Sequence, residues 1–297
     1  MEVPMNVLLQ PIRIVRTCAG LLAGVLITIL CAGIILIGVP CFERIPFVRK
    51  RSNPFIRAPL VWLNIVYWVT YRVCMSITSL VRDDAVALGE LGVKVVEMNH
   101  GSFMEMFLGF RAALKYVSYN VVLVGKVELK EHWLAKWIIV LPMQRLGRLI
   151  LIDRNNRDQA LQTIRDYITR HGKPADSLVY VILCDQTRPT DAKRRRQNKD
   201  QAACWQRVLR PSQGGAWTII SALTEVVGHT PIRIQVAHGI SRPQRTDMDA
   251  WRVVDGTHHV CVTRICDPLP STPEEYGPQL TARWRAIDDW LVGIQET

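Results

Sequence analysis

The hydrophobic pattern divides the chain into an N-terminal part with long apolar runs and a longer part with short ones. Residues 18–41 carry no charged side chain. At about 1.5 Å per residue, a helix of this length can cross a hydrocarbon core of about 30 Å. A cleaved signal peptide has a shorter apolar core. The pattern therefore predicts a transmembrane helix over about residues 18–41, either spanning or deeply re-entrant, with a buried core helix as the alternative.

Basic residues are more numerous after this run than before it. Arg13 and Arg16 precede it, and the basic residues that follow it are Arg44, Arg49, Lys50, Arg51 and Arg57. This asymmetry predicts that the rest of the chain faces the cytoplasm. A second apolar stretch, residues 59–80, is rich in Trp and Tyr, which favour the lipid–water boundary. We predict an interfacial helix or second span there, with an ordinary packed helix as the alternative, and divide the chain into an anchor (1–82) and a domain (83–297).

Beyond residue 82, short apolar runs alternate with segments of helical character. Strands are predicted over residues 93–98, 121–124, 149–152, 178–184, 231–236 and 259–265, and helices over residues 103–114, 133–141, 157–170, 214–223 and 278–294. The alternation predicts an α/β domain with a largely parallel sheet flanked by helices. Ligands bind such sheets at the carboxyl ends of the strands. Asn99-His100 and residues 185–188 both fall at predicted strand ends.

The charge balance indicates anionic partners. The chain has 37 Lys and Arg residues against 26 acidic ones, a formal net charge of +11. Phosphate-bearing substrates, anionic lipid or nucleic acid would suit this surplus, although solubility alone can account for it. No nucleic-acid module is recognisable, and the run KRRR at 193–196 is predicted as a solvated or headgroup-facing loop. The eight cysteines form no C-x-x-C pair, which favours a reducing, cytosol-facing domain.

The clearest candidate for catalysis is the block NHGSFME, which runs from Asn99 to Glu105. A carboxylate five residues after a histidine can reach it across about one helical turn if a strand–helix junction lies between them. The carboxylate would orient the imidazole and stabilise the imidazolium, leaving the other ring nitrogen as a general base. A hydroxyl that attacks a thioester needs such a base. Taken alone, a histidine near a carboxylate is more often structural than catalytic.

Five blocks in order resemble the glycerophosphate and lysophospholipid acyltransferase family. NHGSFME resembles its Asn-His-x-Ser-x-x-Asp block, GKVEL (125–129) its second block, and LILIDR (149–154) the block whose arginine binds the acceptor phosphate. DQTR (185–188) stands where the family has Glu-Gly-Thr-Arg, and Thr230-Pro231-Ile232 resembles the proline-containing fourth block. Residues 208–223 resemble a segment of the eukaryotic lysophosphatidate and long-chain lysophospholipid acyltransferase branch. The likeness covers about residues 60–240.

This resemblance implies the glycerolipid acyltransferase fold with an N-terminal helical membrane anchor. It implies transfer of a fatty acyl group from acyl-CoA or acyl carrier protein to a lysophospholipid hydroxyl. The most specific acceptor is 1-acylglycerol-3-phosphate, which the transfer converts to phosphatidic acid. His100 would be the general base and Glu105 its orienting carboxylate. The residues implied in substrate binding are Asn99, Ser102, Lys126, Arg154, Asp185, Thr187 and Arg188. No metal and no cofactor is expected beyond acyl-CoA as co-substrate.

Two positions depart from the family pattern. Glu105 replaces an aspartate, and Asp185-Gln186 replaces Glu-Gly. The charges are kept, but a shift of about an ångström reduces the rate unless it is compensated. The alternative function is therefore a non-catalytic, membrane-tethered lipid-binding or scaffold relative. We expect an integral membrane protein with a cytoplasmic domain, at the endoplasmic reticulum rather than a bacterial inner membrane.

Overall fold

The computed structural model describes residues 10–44, 54–74, 78–83, 93–100, 107–111, 113, 120–153, 155–171, 178–185, 190–199, 205–241, 258–266 and 272–296. Helix α1 occupies Gln10–Glu43. A 3-10 turn at Pro54–Arg57 leads into α2, Ala58–Val66, which continues as π-helical turns over Tyr67–Cys74. The α1 and α2 helices form the N-terminal part of the described structure.

A seven-stranded sheet has the strand order β1-β7-β6-β2-β5-β3-β4. Five of the six neighbouring pairs are parallel, and the β6–β7 pair is antiparallel. The predicted α/β fold with a largely parallel sheet is confirmed. The strands are β1 Thr78–Asp83, β2 Lys94–Met98, β3 Val121–Lys126, β4 Leu149–Ile152, β5 Val179–Leu183, β6 Ile232–Ser241 and β7 His258–Ile265.

Helices cover both faces of the sheet. A helical run that we call the α3 segment comprises Trp133–Ala135, π-helical Lys136–Val140 and Leu141–Arg145. The later helices are α4 Arg157–His171, α5 Asp191–Asn198, α6 Gln213–Val227 and α7 Pro273–Glu296. Side chains alternate along β2, so Val95 packs in the core under α4, α6 and α7, whereas Val96 and Met98 pack in the core under α2 and residues 107–110. The central strands are therefore covered on both faces.

Helix α1 packs along α2 and leaves an apolar stripe exposed. The indole of Trp62 donates to the Thr28 hydroxyl at 3.0 Å, and the Arg16 guanidinium donates to the Val73 carbonyl at 3.2 Å. Among the described residues, α1 is the one helix long and apolar enough to cross a membrane. Its window Cys18–Cys41 is only 22% buried. A core helix would be buried along most of its length, so this exposure does not favour the core-helix alternative.

Three local predictions were wrong. The helix predicted over residues 59–80 ends at Cys74, and residues 78–83 form β1, because backbone groups of β7 are available to pair with them. The predicted KRRR loop is helix α5, whose first turn is capped by the Thr190 hydroxyl accepting from the Lys193 amide at 3.3 Å. The helix predicted over residues 133–141 continues to Arg145. Pro142 does not end it, because Pro142 falls at the start of the last α-helical turn, where a missing N–H is tolerated.

Candidate active site

The carboxyl ends of β2 and β5 meet at the centre of the sheet. The two strands are parallel, with Met98 opposite Leu183, and the Cys184 amide donates to the Met98 carbonyl at 3.1 Å. Extended by two positions, this register places His100 opposite Asp185. Sequence reasoning placed both at strand ends, and the structure brings them into contact. Asn99 is buried beside them, and His100 is half-buried.

The carboxylate of Asp185 holds the main chain of His100. Its Oδ2 accepts the His100 backbone N–H at 3.2 Å, and its Oδ1 accepts the indole N–H of Trp284. The Leu209 backbone N–H is a third donor. Burial raises the pKa of Asp185 to about 7, and the three N–H groups oppose this rise because they stabilise the ionised form. The side chain is 3% exposed, so Asp185 faces protein donors on several sides.

The neighbouring thiol is not suited to be a nucleophile. Cys184 lies directly before Asp185 at the end of β5 and is fully buried. Burial, reinforced by the nearby carboxylates of Glu97 and Asp185, raises the pKa of the Cys184 thiol well above its ordinary value. A thiol in this state stays neutral near pH 7. His100 is therefore the better candidate for proton transfer at these strand ends.

Helix α7 positions the loop that closes this side of the site. The carboxylate of Asp288 accepts three backbone N–H groups, those of Gln206 at 2.8 Å, Arg207 at 2.6 Å and Val208 at 2.8 Å. The same loop returns to β5 through the Ser212 amide, which donates to the Cys184 carbonyl at 2.8 Å. One helix therefore anchors both Asp185 and residues 206–208.

A buried ionic network attaches α7 to the sheet. Glu97 of β2 is fully buried and accepts the Tyr276 hydroxyl at 2.8 Å as well as a short contact from the Arg283 guanidinium. The Arg233 guanidinium of β6 lies 3.7 Å from the same carboxylate. A buried carboxylate between two guanidinium groups is compensated in charge, so removal of Glu97 would leave two cations in a poorly solvated place.

One of the candidate phosphate-binding residues, Lys126, belongs to a described strand beside this centre. Lys126 is the last residue of β3 and is half-buried. Extending the β3–β5 register, in which Val121 pairs with Val179, places Lys126 opposite Cys184. The predicted site residues Ser102, Glu105, Arg154, Thr187 and Arg188 lie outside the described residues. Their proposed roles stay predictions.

A polar cavity opens at the carboxyl edge of the sheet. It has a volume of about 1160 Å³ and lies between the end of β5 and the N-terminal ends of α4, α6 and α7. Arg157, Arg210 and Glu274 are its charged lining residues, and Ser212 and the α6 backbone at Gly214 and Gly215 also line it. A side chain at Gly215 would meet Ile182 at 2.9 Å, so a glycine allows the start of α6 to lie against β5. Helix N-termini and arginines both favour anions.

A narrow apolar pocket lies on the opposite face of the sheet. It has a volume of about 100 Å³ and is bounded by α1, α2, the α3 segment and residues 107 and 110. Val121 and Leu123 line this pocket, whereas Val124 of the same strand lines the polar cavity. Because side chains alternate along a strand, the two spaces flank the sheet on opposite faces. The helical residues 107–111 that follow the His100 block thus contribute to the apolar side.

Sequence reasoning missed the residues that hold this site from α7. Trp284, Asp288, Tyr276 and Arg283 lie in a helix that the pattern predicted only as a closing element. An amphipathic helix commonly contains Trp and Asp, and their spacing gives no sign of distant partners such as Asp185. No signal in the single sequence identifies them. Among the described residues, no group of three or more His, Cys, Asp and Glu is arranged to hold a metal ion.

Comparisons with known proteins find a likeness to solved structures. No family model and no curated protein matches the chain. A crystal structure of the 1-acyl-sn-glycerophosphate (LPA) acyltransferase PlsC from Thermotoga maritima is similar in fold, with 15% sequence identity and a TM-score of 0.48. The alignment covers 92% of this chain and 98% of the Thermotoga chain.

Proposed function

We propose that this chain is a membrane-associated glycerolipid acyltransferase. It transfers a fatty acyl group from an acyl thioester to the free hydroxyl of a lysophospholipid, most specifically 1-acylglycerol-3-phosphate. The observation that carries the proposal is that Asp185 fixes the main chain of His100 at the carboxyl ends of β2 and β5, in a sheet with an apolar pocket on one face and an arginine-lined cavity on the other. A substrate with an acyl chain and an anionic headgroup suits such a pair of spaces.

In the proposed reaction, the imidazole of His100 takes the proton from the acceptor hydroxyl while its oxygen attacks the thioester carbonyl carbon. The tetrahedral intermediate then collapses, the carbon–sulfur bond breaks, and the imidazolium returns the proton to the departing thiolate. Glu105 stabilises the imidazolium, as the family resemblance implies. Backbone N–H groups or Lys126 stabilise the oxyanion. No metal or further cofactor takes part in this sequence.

Asp185 acts in this proposal as a positioning residue. Its carboxylate is buried and accepts N–H groups from His100, Leu209 and Trp284. An anionic carboxylate repels a substrate phosphate, so we assign phosphate binding to Lys126, Arg154 and Arg188 instead. We propose that these donors compensate for the side chain of Asp185 being shorter than the glutamate of the family pattern.

The membrane association of the proposal is supported by α1. Its uncharged window is long enough to span and is mostly exposed in the described structure. We propose that α1 and α2 embed the protein so that acyl chains reach the apolar pocket from the bilayer. A cytoplasm-facing domain and an endoplasmic reticulum location are parts of this proposal that a tagged chain in permeabilised cells would test.

The test is an assay of the purified full-length chain in nanodiscs. Acyl-CoA and acyl carrier protein thioesters would be offered with lysophosphatidate and other lysophospholipids, and free thiol and diacyl product would be measured. We expect equal release of thiol and product with lysophosphatidate, and none above background for His100→Ala. Saturable lipid binding with no product from any pair would contradict the proposal and support the non-catalytic lipid-binding alternative.

A further inference from the structure

Exposed apolar surface is concentrated on three helical elements. Among the described residues, every large hydrophobic side chain that is exposed lies on α1, on the helix formed by residues 58–74, or on the α3 segment. On the α3 segment these are Trp133, which is 74% exposed, and Trp137, which is 55% exposed. Among the residues whose burial the structure describes, which leave out those of β1 and β7, the rest of the α/β domain exposes none. An apolar surface so confined marks an interaction site.

The α3 segment packs against the membrane helix. Its residues Ile138, Ile139 and Pro142 line the narrow apolar pocket together with Thr28 and Ile35 of α1. The same segment therefore turns one side towards α1 and leaves its two tryptophans uncovered. Its exposed surface thus adjoins the element that we propose lies in lipid.

The residues around the tryptophans suit a bilayer surface. Lys130 and Lys136 are exposed next to Trp133 and Trp137. Tryptophan favours the boundary between acyl chains and headgroups, because its ring is apolar and its N–H can still reach water. A lysine can lay its aliphatic stem along lipid while its ammonium contacts a phosphate.

We propose that the α3 segment, together with Lys130 just before it, is a third membrane-contact element, in which Trp133 and Trp137 enter the headgroup–acyl boundary and Lys130 and Lys136 contact lipid phosphates. The sequence pattern predicted only an ordinary helix there. The inference rests on the proposed function in one respect, which is the placement of α1 in lipid. It does not depend on catalysis. Its occupant is the lipid bilayer and not a second protein.

The test uses the full-length chain labelled with 5-fluorotryptophan in nanodiscs that contain phosphatidylcholine and phosphatidylglycerol. Resonances are assigned by single Trp→Phe variants, and broadening is measured with doxyl-labelled lipid and, separately, with a water-soluble paramagnetic complex. Trp68 of the helix 58–74 is the reference for lipid contact, and Trp205, which is 2% exposed, is the buried control. We expect doxyl lipid to broaden the Trp133 and Trp137 resonances by at least about half as much as the Trp68 resonance. The Trp205 resonance should not broaden.

Two outcomes would overturn this inference. Broadening of Trp133 and Trp137 by the water-soluble complex alone would place them in solvent, and protection from both agents would place them against another protein. The readout needs no turnover, so an inactive protein with lipid-broadened tryptophans would refute the proposed enzymatic function and leave this inference intact. Absence of lipid broadening at Trp68 as well would instead show that the membrane placement of the whole N-terminal part is wrong.

Discussion

Substituting Trp284 tests whether α7 sets the protonation of Asp185. In Trp284→Phe, a ring still fills most of the site, but the indole N–H that donates to the Asp185 carboxylate is gone. A hydrogen bond to a charged group contributes about 1.5–3 kcal/mol, which corresponds to about one to two pKa units. Since Asp185 already has a pKa of about 7, the loss raises it further.

The pH dependence follows from the direction of this shift. Only the ionised carboxylate has both oxygens free to accept the N–H groups of His100 and Trp284. The acid limb of the activity profile should therefore move upward by about one to two pH units in Trp284→Phe. The assay is the initial rate of thiol release from acyl-CoA, measured across a range that brackets pH 7.

The same shift predicts a stability difference that does not depend on activity. The pKa of Asp185 is raised in the folded state, so its contribution to stability is complete below about pH 4 and is lost as pH rises through about 7. Trp284→Phe extends this loss to higher pH. The variant should be destabilised by about 1.5–3 kcal/mol at alkaline pH and by less under acidic conditions, as measured by denaturant unfolding.

Trp290→Phe is the matched control. Trp290 lies on the same helix and packs against the same core. Its substitution should leave the acid limb in place. A folded Trp284→Phe protein with an unmoved acid limb and a pH-independent stability loss would refute the coupling between Trp284 and Asp185. An equal movement of the limb in both variants would attribute it to packing of α7.

Three further substitutions test separate parts of the structure. His100→Ala should lower activity by about 10²- to 10⁴-fold with an unchanged unfolding midpoint, and activity within tenfold of wild type would remove the general-base role. Glu97→Gln should lower the free energy of unfolding by about 3–5 kcal/mol, since two buried guanidinium groups lose their counter-charge. A loss under about 1 kcal/mol in denaturant unfolding would contradict this. Asp288→Ala should lower the free energy of unfolding by about 1.5–3 kcal/mol, because the backbone amides of residues 206–208 lose their acceptor. Asp289→Ala, which changes the exposed neighbouring residue, should alter the free energy of unfolding little in the same measurement.

The pattern of apolar residues was sufficient for most of the element order. Continuous apolar runs such as residues 179–183 predicted buried strands because both faces of a central parallel strand are covered. The pattern was insufficient at residues 78–83, where an amphiphilic stretch can continue a helix or pair with a strand. The partner of β1 is β7, which lies some 180 residues later in the chain, as in the pairing of Thr78 with His258. Local propensity carries no information about such a partner.

The sequence by itself also determined which residues end β2 and β5, because the polar residues Asn99, His100 and Asp185 follow directly after apolar runs. Only the tertiary structure decided that these ends are neighbours, through the strand order that places β5 beside β2. It also decided that Asp185 binds the main chain of His100 and is held from α7 by Trp284. The residues of this last contact are separated by 99 positions, so no spacing rule connects them. Strand ends are set by local hydrophobicity. The contacts that orient a site arise from packing of elements that are distant in the chain, and no local pattern in a single sequence predicts them.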